Sequence, residues 1–192
     1  MDVAGAVGTV RDLAWEVAAA VPDPELPMLT LADLGVLADI EVDGGSGTVT
    51  AWLTPTYSGC PAVAEMAADV DRRLRAAGYP DVRVRLRLDP PWSTDLITAE
   101  GRRKLAAAGI APPRPGAAAT ASTAATAVPA GYGPVPLTLG PTRAGTATVA
   151  AVACPHCGGT DTEELSRFGS TACKALWRCR ACREPFERVK EI

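Results

Sequence analysis

The sequence contains very little histidine and few aromatic residues. One of its 192 residues is histidine, two are phenylalanine, and aromatic residues make up 5% of the chain. A single histidine leaves little for acid–base catalysis, and no E-x-x-H pair is present for a di-iron site. The sequence also lacks the G-x-G-x-x-G and G-x-S-x-G motifs of dinucleotide-binding proteins and serine hydrolases. These absences argue against direct catalysis by this chain as an oxygenase or hydrolase.

The sequence has neither a large net charge nor a long apolar run. The formal net charge is −3, which gives no sign of general nucleic-acid binding. No apolar run reaches the roughly 18 residues of a membrane-spanning helix, and the first residues do not resemble a secretion signal. The six cysteines have metal-type spacing, which is typical of a reducing compartment. We therefore expect a cytoplasmic protein with neither nucleic acid nor membrane as a partner.

The most informative motif is a double C-x-x-C near the end of the chain. Cys154 and Cys157 form the first pair, Cys179 and Cys182 the second, and 21 residues separate the pairs. Two such turns can place four thiolates around one zinc ion, so the spacing predicts a single structural Zn²⁺ site. Two alternatives stay open, a pair of disulfides and an iron–sulfur cluster held by the same thiolates.

Other residues of this region allow more than one interpretation. Three interpretations of Cys173 are open: a fifth metal ligand, a reactive thiol, or a small packed residue. We favour the last. His156 lies inside the first turn and is interpreted as a turn residue, since four thiolates already suffice. We expect a short strand from Thr148 to Val152, with Trp177 and Phe186 supplying a small core. A module this short needs its metal to fold.

Periodicity assigns the secondary structure of the first part of the chain. Apolar residues at helical spacing predict a first helix over 9–20 with Thr9 as N-cap, and alternation on either side of a glycine-rich turn predicts an antiparallel hairpin. The remaining predicted elements are a helix starting at Pro61 and ending at Gly78, a strand from Val82 to Leu88, and a helix from the N-cap Thr98 to Gly109. Gly101 should weaken the last helix slightly.

Cys60 is the candidate functional residue of this module. With Pro61 in the first helical position, Cys60 becomes the N-cap of the second helix, beside free N–H groups and the positive end of the helix dipole. This placement predicts a lowered pKa and a reactive thiolate; the alternative is a small buried cysteine. Asp23 and Glu25 lie in a proline-rich loop, which composition alone assigns to an exposed acidic turn.

Residues 111–150 differ in composition from the rest of the chain. Of these 40 residues, 32 are Ala, Pro, Gly, Thr or Ser, a composition that cannot bury a core, and we expect a flexible tether. The predicted division is therefore a first domain over 8–110, a linker over 111–147 and a metal-binding domain over 148–192. The two domains could meet or separate.

Several short motifs of the first domain occur together in one known family. The chain resembles the SufT-like iron–sulfur assembly domain in Asp23-Pro24-Glu25, Leu34-Gly35-Val36, Leu53-Thr54-Pro55-Thr56 and Gly59-Cys60-Pro61. The resemblance implies a small α+β fold with helices on an antiparallel or mixed sheet. It also implies a functional thiol at Cys60, with Asp23, Glu25 and Thr56 as its neighbours.

The last part of the chain resembles a more specific family. The cysteine pairs, the stretch Ser166 to Ala175 and Glu184-Pro185-Phe186 are similar to the C-terminal zinc ribbon of the PaaD (or PaaJ) family. These are accessory proteins of bacterial phenylacetyl-CoA epoxidase systems in aerobic phenylacetate degradation. The resemblance implies a non-catalytic maturation factor that handles iron or an iron–sulfur cluster through Cys60 and docks its client through the ribbon.

The same resemblance implies partners among the epoxidase components. These are the di-iron oxygenase subunit or the iron–sulfur flavin reductase, neither of which this chain resembles. A homodimer that pairs two Cys60 thiols is left open. The alternative function is a non-catalytic structural subunit of the oxygenase in which Cys60 is only packed.

Overall fold

A computed structural model describes residues 3–57, 59–116 and 151–191, with side chains from residue 8 onward. The fold is α+β. In chain order the elements are α1 Val3–Ala19, α2 Leu31–Leu34, β1 Leu37–Val42, β2 Val49–Leu53, α3 Ala62–Ala76, β3 Val82–Leu86, a 3₁₀ turn Thr94–Leu96, α4 Ala99–Ala107, β4 Ile110–Ala111, β5 Thr162–Ser166, β6 Lys174–Cys179 and β7 Pro185–Val189. Within the described ranges no helix is long and apolar enough to cross a membrane.

The first sheet has three strands in the order β1-β2-β3. β1 and β2 pair antiparallel, with Val42 opposite Val49, which confirms the predicted hairpin. β2 and β3 are parallel, because α3 carries the chain back across the sheet between them. Helices α1 and α3 cover the sheet, and this layer holds the main core.

Helix α3 follows its predicted apolar stripe. Met66, Val70 and Leu74 are buried against the sheet, as the helical spacing of these residues requires. Gly78 follows the helix with φ +99°, a left-handed conformation that glycine adopts at little cost. The helix begins at Ala62 with Pro61 preceding it as N-cap, so Cys60 lies one residue before the cap and is not the cap itself.

Helix α1 differs from its prediction. It begins at Val3 rather than at Thr9, and Leu13, one of the apolar residues at helical spacing, is 53% exposed. The buried face consists of Ala14 and Ala18, whose small side chains let the helix approach the sheet closely. Arg11 fixes the helix to β1, because its Nε donates to the Ile40 carbonyl at 2.9 Å.

The four-residue helix α2 and helix α4 meet at Asp33. Thr30 and Asp33 form a capping box at the start of α2, and Lys104 Nζ of α4 donates to Asp33 Oδ2 at 2.7 Å. Thr98 caps α4 as predicted. A Cβ on Gly101 would lie 2.7 Å from the Asp33 carbonyl oxygen, so this glycine permits the close approach of the two helices.

The second sheet joins residues 110–111, which follow α4, to the three strands of the C-terminal region. Its order is β4-β7-β6-β5, and β4 is parallel to β7, with Ile110 opposite Glu187 and Ala111 opposite Arg188. Trp177 and Phe186 form a small core as predicted, together with Ala111. Of the expected strand from Thr148 to Val152, residues 148–150 lie outside the described residues and 151–152 are not in a strand.

The C-terminal region also packs on the main core. Val189 belongs to that core, and Arg114 Nε donates to Glu191 Oε1 at 3.1 Å. Residues 110–111, at the predicted boundary between first domain and linker, thus form an edge strand of the ribbon sheet. The division into three domains stays a prediction, and residues 117–150 lie outside the described residues.

Candidate functional sites

The four predicted metal ligands converge. The sulfurs of Cys154, Cys157, Cys179 and Cys182 all lie within 4.8 Å of one another. Cys154 Sγ is 3.8 Å from Cys182 Sγ, and Cys157 Sγ is 3.6 Å from Cys179 Sγ. Tetrahedral zinc with Zn–S bonds of about 2.3 Å requires sulfurs about 3.8 Å apart, so this donor set fits a zinc ion.

Two similar turns present these sulfurs. In the first, the Gly158 N–H donates to the Cys154 carbonyl at 2.8 Å, and Gly158 has φ +73°. In the second, Arg183 occupies the matching place four residues after Cys179 and has φ 67°. Glycine adopts this left-handed conformation at little cost, whereas the sequence gives no sign that Arg183 adopts it in the second turn.

The backbone of the second turn favours the thiolate form of Cys179. The backbone N–H groups of Cys182 and Ala181 favour the charged form and lower the pKa of Cys179 to about 7. The Glu184 N–H lowers the pKa of Cys182, but burial and the sulfurs of the three other cysteines have a larger, opposite effect. The pKa of Cys182 is therefore raised to about 12. A bound cation would favour the thiolate at all four positions.

A second cluster lies where the C-terminal region packs on the first domain, in what we call the junction cavity. It brings together all four residues that the family resemblance selected, and its lining consists of Asp23, Glu25, Leu26, Leu34, Thr56, Cys60, Met66, Trp92, Ile97, Cys173 and Val189. Its volume is about 30 Å³. Since one water needs about 10–15 Å³ on this measure, the cavity has room for an ion or about two to three waters.

Asp23 is fixed in the wall of this cavity. Its Oδ1 accepts hydrogen bonds from the N–H groups of Glu25 at 2.9 Å and Leu26 at 2.7 Å. The residue is only 7% exposed, so the assignment of this loop to an exposed turn is wrong for Asp23. Burial raises the pKa of Asp23, against the opposing effects of the two N–H groups and of Lys174.

Cys60 lies half-buried at the start of α3. The Ala62 N–H favours its thiolate, but burial and the negative charges of Glu25, Asp23 and Cys173 have the larger effect and raise the pKa of Cys60. The predicted lowered pKa is therefore wrong. The helix start could be recognised from sequence, whereas the apolar walls and carboxylates come from distant segments.

Two lining or neighbouring residues were not selected from sequence. Cys173 was assigned to packing, yet it shares the cavity with Cys60. Burial, and then the negative charges of Cys60, Glu25 and Cys173, raise the pKa of the neighbouring Tyr57. Cys173 enters the cavity only because the C-terminal region packs on the main core, and Tyr57 lies between the family motifs Leu53–Thr56 and Gly59–Pro61. His156 is exposed and lies next to Gly109; it belongs neither to the four-cysteine group nor to the lining of the junction cavity.

Comparisons with known proteins identify the family. Residues 139–190 match the PaaD zinc beta ribbon domain, and residues 14–91 match the iron–sulfur cluster assembly protein domain. A protein of Escherichia coli (strain K12), named as a putative subunit of 1,2-phenylacetyl-CoA epoxidase, is 38% identical over 178 residues, which are 93% of this chain and 91% of the relative. The chain belongs to the PaaD family.

Solved structures similar to this PaaD family member cover its first half. A Bacillus anthracis domain of unknown function (DUF59) is 24% identical with TM-score 0.48, over 53% of this chain and 96% of the other. A conserved hypothetical protein of Thermotoga maritima is 28% identical with TM-score 0.42, over 50% and 92%. A Mycobacterium tuberculosis protein, titled as associated with Fe–S complex assembly and repair, is 29% identical with TM-score 0.31, over 52% and 82%.

The junction cavity spans both family matches. Asp23, Glu25, Thr56 and Cys60 lie in the region matched by the assembly domain, and Cys173 lies in the region matched by the ribbon. In this PaaD family member, a cavity between the two matched regions therefore contains thiols from both.

Proposed function

We propose that this chain is an accessory maturation factor of phenylacetyl-CoA epoxidase in aerobic phenylacetate degradation, which handles iron or an iron–sulfur unit through Cys60. The junction cavity carries the proposal, because it places the Cys60 thiol beside Asp23, Glu25 and Thr56. Thiolate sulfur and carboxylate oxygen both bind iron in proteins, the first in iron–sulfur clusters and the second in non-haem Fe(II) sites. The iron is cargo in this proposal, while zinc in the ribbon is structural.

The environment of Cys60 suits transfer better than storage. A metal must displace the thiol proton, and the raised pKa of Cys60 makes that displacement harder at neutral pH, so the metal is held less tightly. Asp23 supplies a carboxylate that the backbone already holds in place. A weakly held metal ion can pass to a client with a more complete ligand set.

A client requires a docking surface, which we assign to the ribbon. Phe168 is 75% exposed and Leu165 is 47% exposed, and large apolar side chains of this kind serve as contacts between proteins. The ribbon arginines Arg178 and Arg180 both pair with Glu163, which argues against nucleic acid as the partner. We propose the di-iron oxygenase subunit or the iron–sulfur flavin reductase as client.

The proposal describes a non-catalytic, cytoplasmic component. His156 does not line the junction cavity, and a cavity of about 30 Å³ cannot hold an acyl-CoA. All six cysteines are free thiols in the structure, in keeping with a reducing compartment.

Client iron content tests this function. Epoxidase components would be purified from a strain that lacks this gene and is rescued with wild type, Cys60→Ser or the control Asp43→Asn, an exposed hairpin carboxylate. We expect the client protein to contain little iron when the strain is rescued with Cys60→Ser and its full iron content when rescued with wild type or Asp43→Asn. The three rescuing proteins should be equally abundant and contain equal zinc. If the client has its full iron content both with Cys60→Ser and without any rescue, this chain does not load that iron and the proposed maturation role is wrong.

The relative's name as an epoxidase subunit favours one alternative, a non-catalytic structural subunit of the oxygenase. The two functions differ in stoichiometry. A structural subunit co-purifies with the epoxidase in a fixed ratio, whereas a maturation factor is substoichiometric and is lost once the client is loaded. Quantitative mass spectrometry of the purified complex measures this ratio.

A further inference from the structure

Cys173 reaches the junction cavity from the ribbon. It lies just before β6, its carbonyl accepts the Lys190 N–H at 2.9 Å, and its Sγ is 3.1 Å from Thr171 Oγ1. The adjoining strands β6 and β7 position this thiol, and the packing of Val189 on the main core brings it to the same cavity as Cys60. The second thiol of the cavity is therefore present only while the ribbon is docked.

The carboxylates of the cavity have unused acceptor capacity. Asp23 is more than nine-tenths buried, and both of its hydrogen bonds involve Oδ1. Its Oδ2 accepts no hydrogen bond from the described residues. Lys174 is the cation that acts on Asp23, but its Nζ is bound to Glu187 at 2.8 Å. Two thiols and two carboxylates thus share a small cavity whose nearby ammonium group is engaged elsewhere.

We propose that Cys60 and Cys173, with Asp23 or Glu25, form a second metal site that takes one divalent transition-metal ion, with Fe²⁺ as the cargo. This inference rests on the proposed function and extends it by a second thiolate ligand. Thiolate with carboxylate selects transition metals over Mg²⁺ or Ca²⁺. The volume of about 30 Å³ suits one ion and is too small for a preformed cluster.

Metal binding should tighten the docking of the ribbon. In the described part of the chain, the ribbon thiols form the one group of potential ligands whose atoms all lie within 4.8 Å of one another. The junction ligands must therefore move closer to hold an ion, and they come from different regions of the chain. Because Cys173 supplies the second thiol within one molecule, the site needs no homodimer that pairs two Cys60 residues.

A cobalt titration of the zinc-loaded full chain tests the site. Co²⁺ gives a charge-transfer absorption with thiolates, and zinc content measured at each step separates a second site from exchange in the ribbon. Wild type should bind one Co²⁺ beyond its zinc. Cys60→Ser and Cys173→Ser should each weaken this binding at least tenfold, since even the loss of an outer-shell partner reduces metal affinity about 10–100-fold.

Two carboxylate variants provide a matched comparison. Asp23→Asn should weaken the binding of Co²⁺ at the second site, while its amide oxygen can still accept the N–H groups of Glu25 and Leu26. Asp43→Asn removes an exposed carboxylate that also accepts two N–H groups, and it should leave Co²⁺ binding unchanged. Unchanged zinc content and circular dichroism of each variant confirm folding, and Cys173→Ala repeats the test with a smaller side chain.

Three outcomes would overturn the inference. In the first, each Co²⁺ bound displaces one zinc, so that no second site exists. In the second, the Co²⁺ that wild type binds beyond its zinc binds equally well to Cys173→Ser and Cys173→Ala. In the third, Cys60→Ser alone loses Co²⁺ and client iron, which removes Cys173 from the site and leaves the proposed function standing.

Discussion

At the scale of single residues, two left-handed positions decide the shape of the zinc turns. Gly158 and Arg183 have φ values of +73° and 67°, a conformation that costs a non-glycine residue about 1–2 kcal/mol. Gly158→Ala should therefore loosen zinc about 5–30-fold against a competing chelator, whereas Arg183→Gly should hold zinc at least as well as wild type. Equal zinc retention by wild type and Gly158→Ala would show that the first turn tolerates a side chain.

The raised pKa of Cys60 predicts a specific pH profile. Alkylation of Cys60 in the zinc-loaded protein should have its midpoint above the ordinary value of 9.0, and Asp23→Asn should lower that midpoint by removing a negative charge. The protonated thiol contributes stability that is fully present below the unfolded pKa and is lost as pH rises through the folded pKa. A midpoint at or below 9.0 would mean that the Ala62 N–H outweighs burial.

How well a residue could be predicted depends on how far its partners lie along the chain. The C-x-x-C pairs form their site through short turns, so spacing alone located it. The surroundings of Cys60 include Cys173 and Val189, more than a hundred residues away, and periodicity carries no information about such contacts. Family motifs in the sequence therefore indicated the neighbours of Cys60, but the predicted direction of its pKa shift was wrong.

At the scale of elements, Gly101 holds α4 against α2. Gly101→Ala should raise helix propensity by about 1 kcal/mol, yet the new Cβ would lie 2.7 Å from the Asp33 carbonyl oxygen. Overpacking of this kind costs about 1–3 kcal/mol, so we expect lower thermal stability. Arg103→Ala, on the exposed side of the same helix, should change stability by less than about 0.5 kcal/mol. A stabilised Gly101→Ala protein would mean that the two helices can separate without cost.

Element boundaries were predicted best where a cap was encoded locally. Thr98 and Gly78 mark a helix start and a helix stop as expected. Helix α1 extends beyond Thr9 to Val3, because a residue suited to capping does not end a helix whose preceding residues can remain helical. Strand β4 has only two residues and exists through its pairing with β7, so no local pattern could have predicted it.

At the scale of the whole molecule, the ribbon and the first domain share structure. β4 lies in the ribbon sheet, Val189 lies in the main core, and Cys173 lines the same cavity as Cys60. Composition indicated a tether that lets the two parts separate, and it could not show that they dock. We infer that docking of the zinc-loaded ribbon builds the site around Cys60, and the function proposed above depends on this coupling.

Labelling of Cys60 with and without zinc tests the coupling. The alkylation rate of Cys60 would be followed by peptide mass spectrometry at pH 8 in wild type and in Cys179→Ser, which should lose zinc and the ribbon fold. Helical circular dichroism checks that the first domain remains folded, and the rate in denaturant gives the upper limit. We predict slow labelling in wild type and at least fivefold faster labelling in Cys179→Ser. Equal rates in the two proteins, with zinc lost from the variant and helices retained, would mean that the ribbon does not cover Cys60.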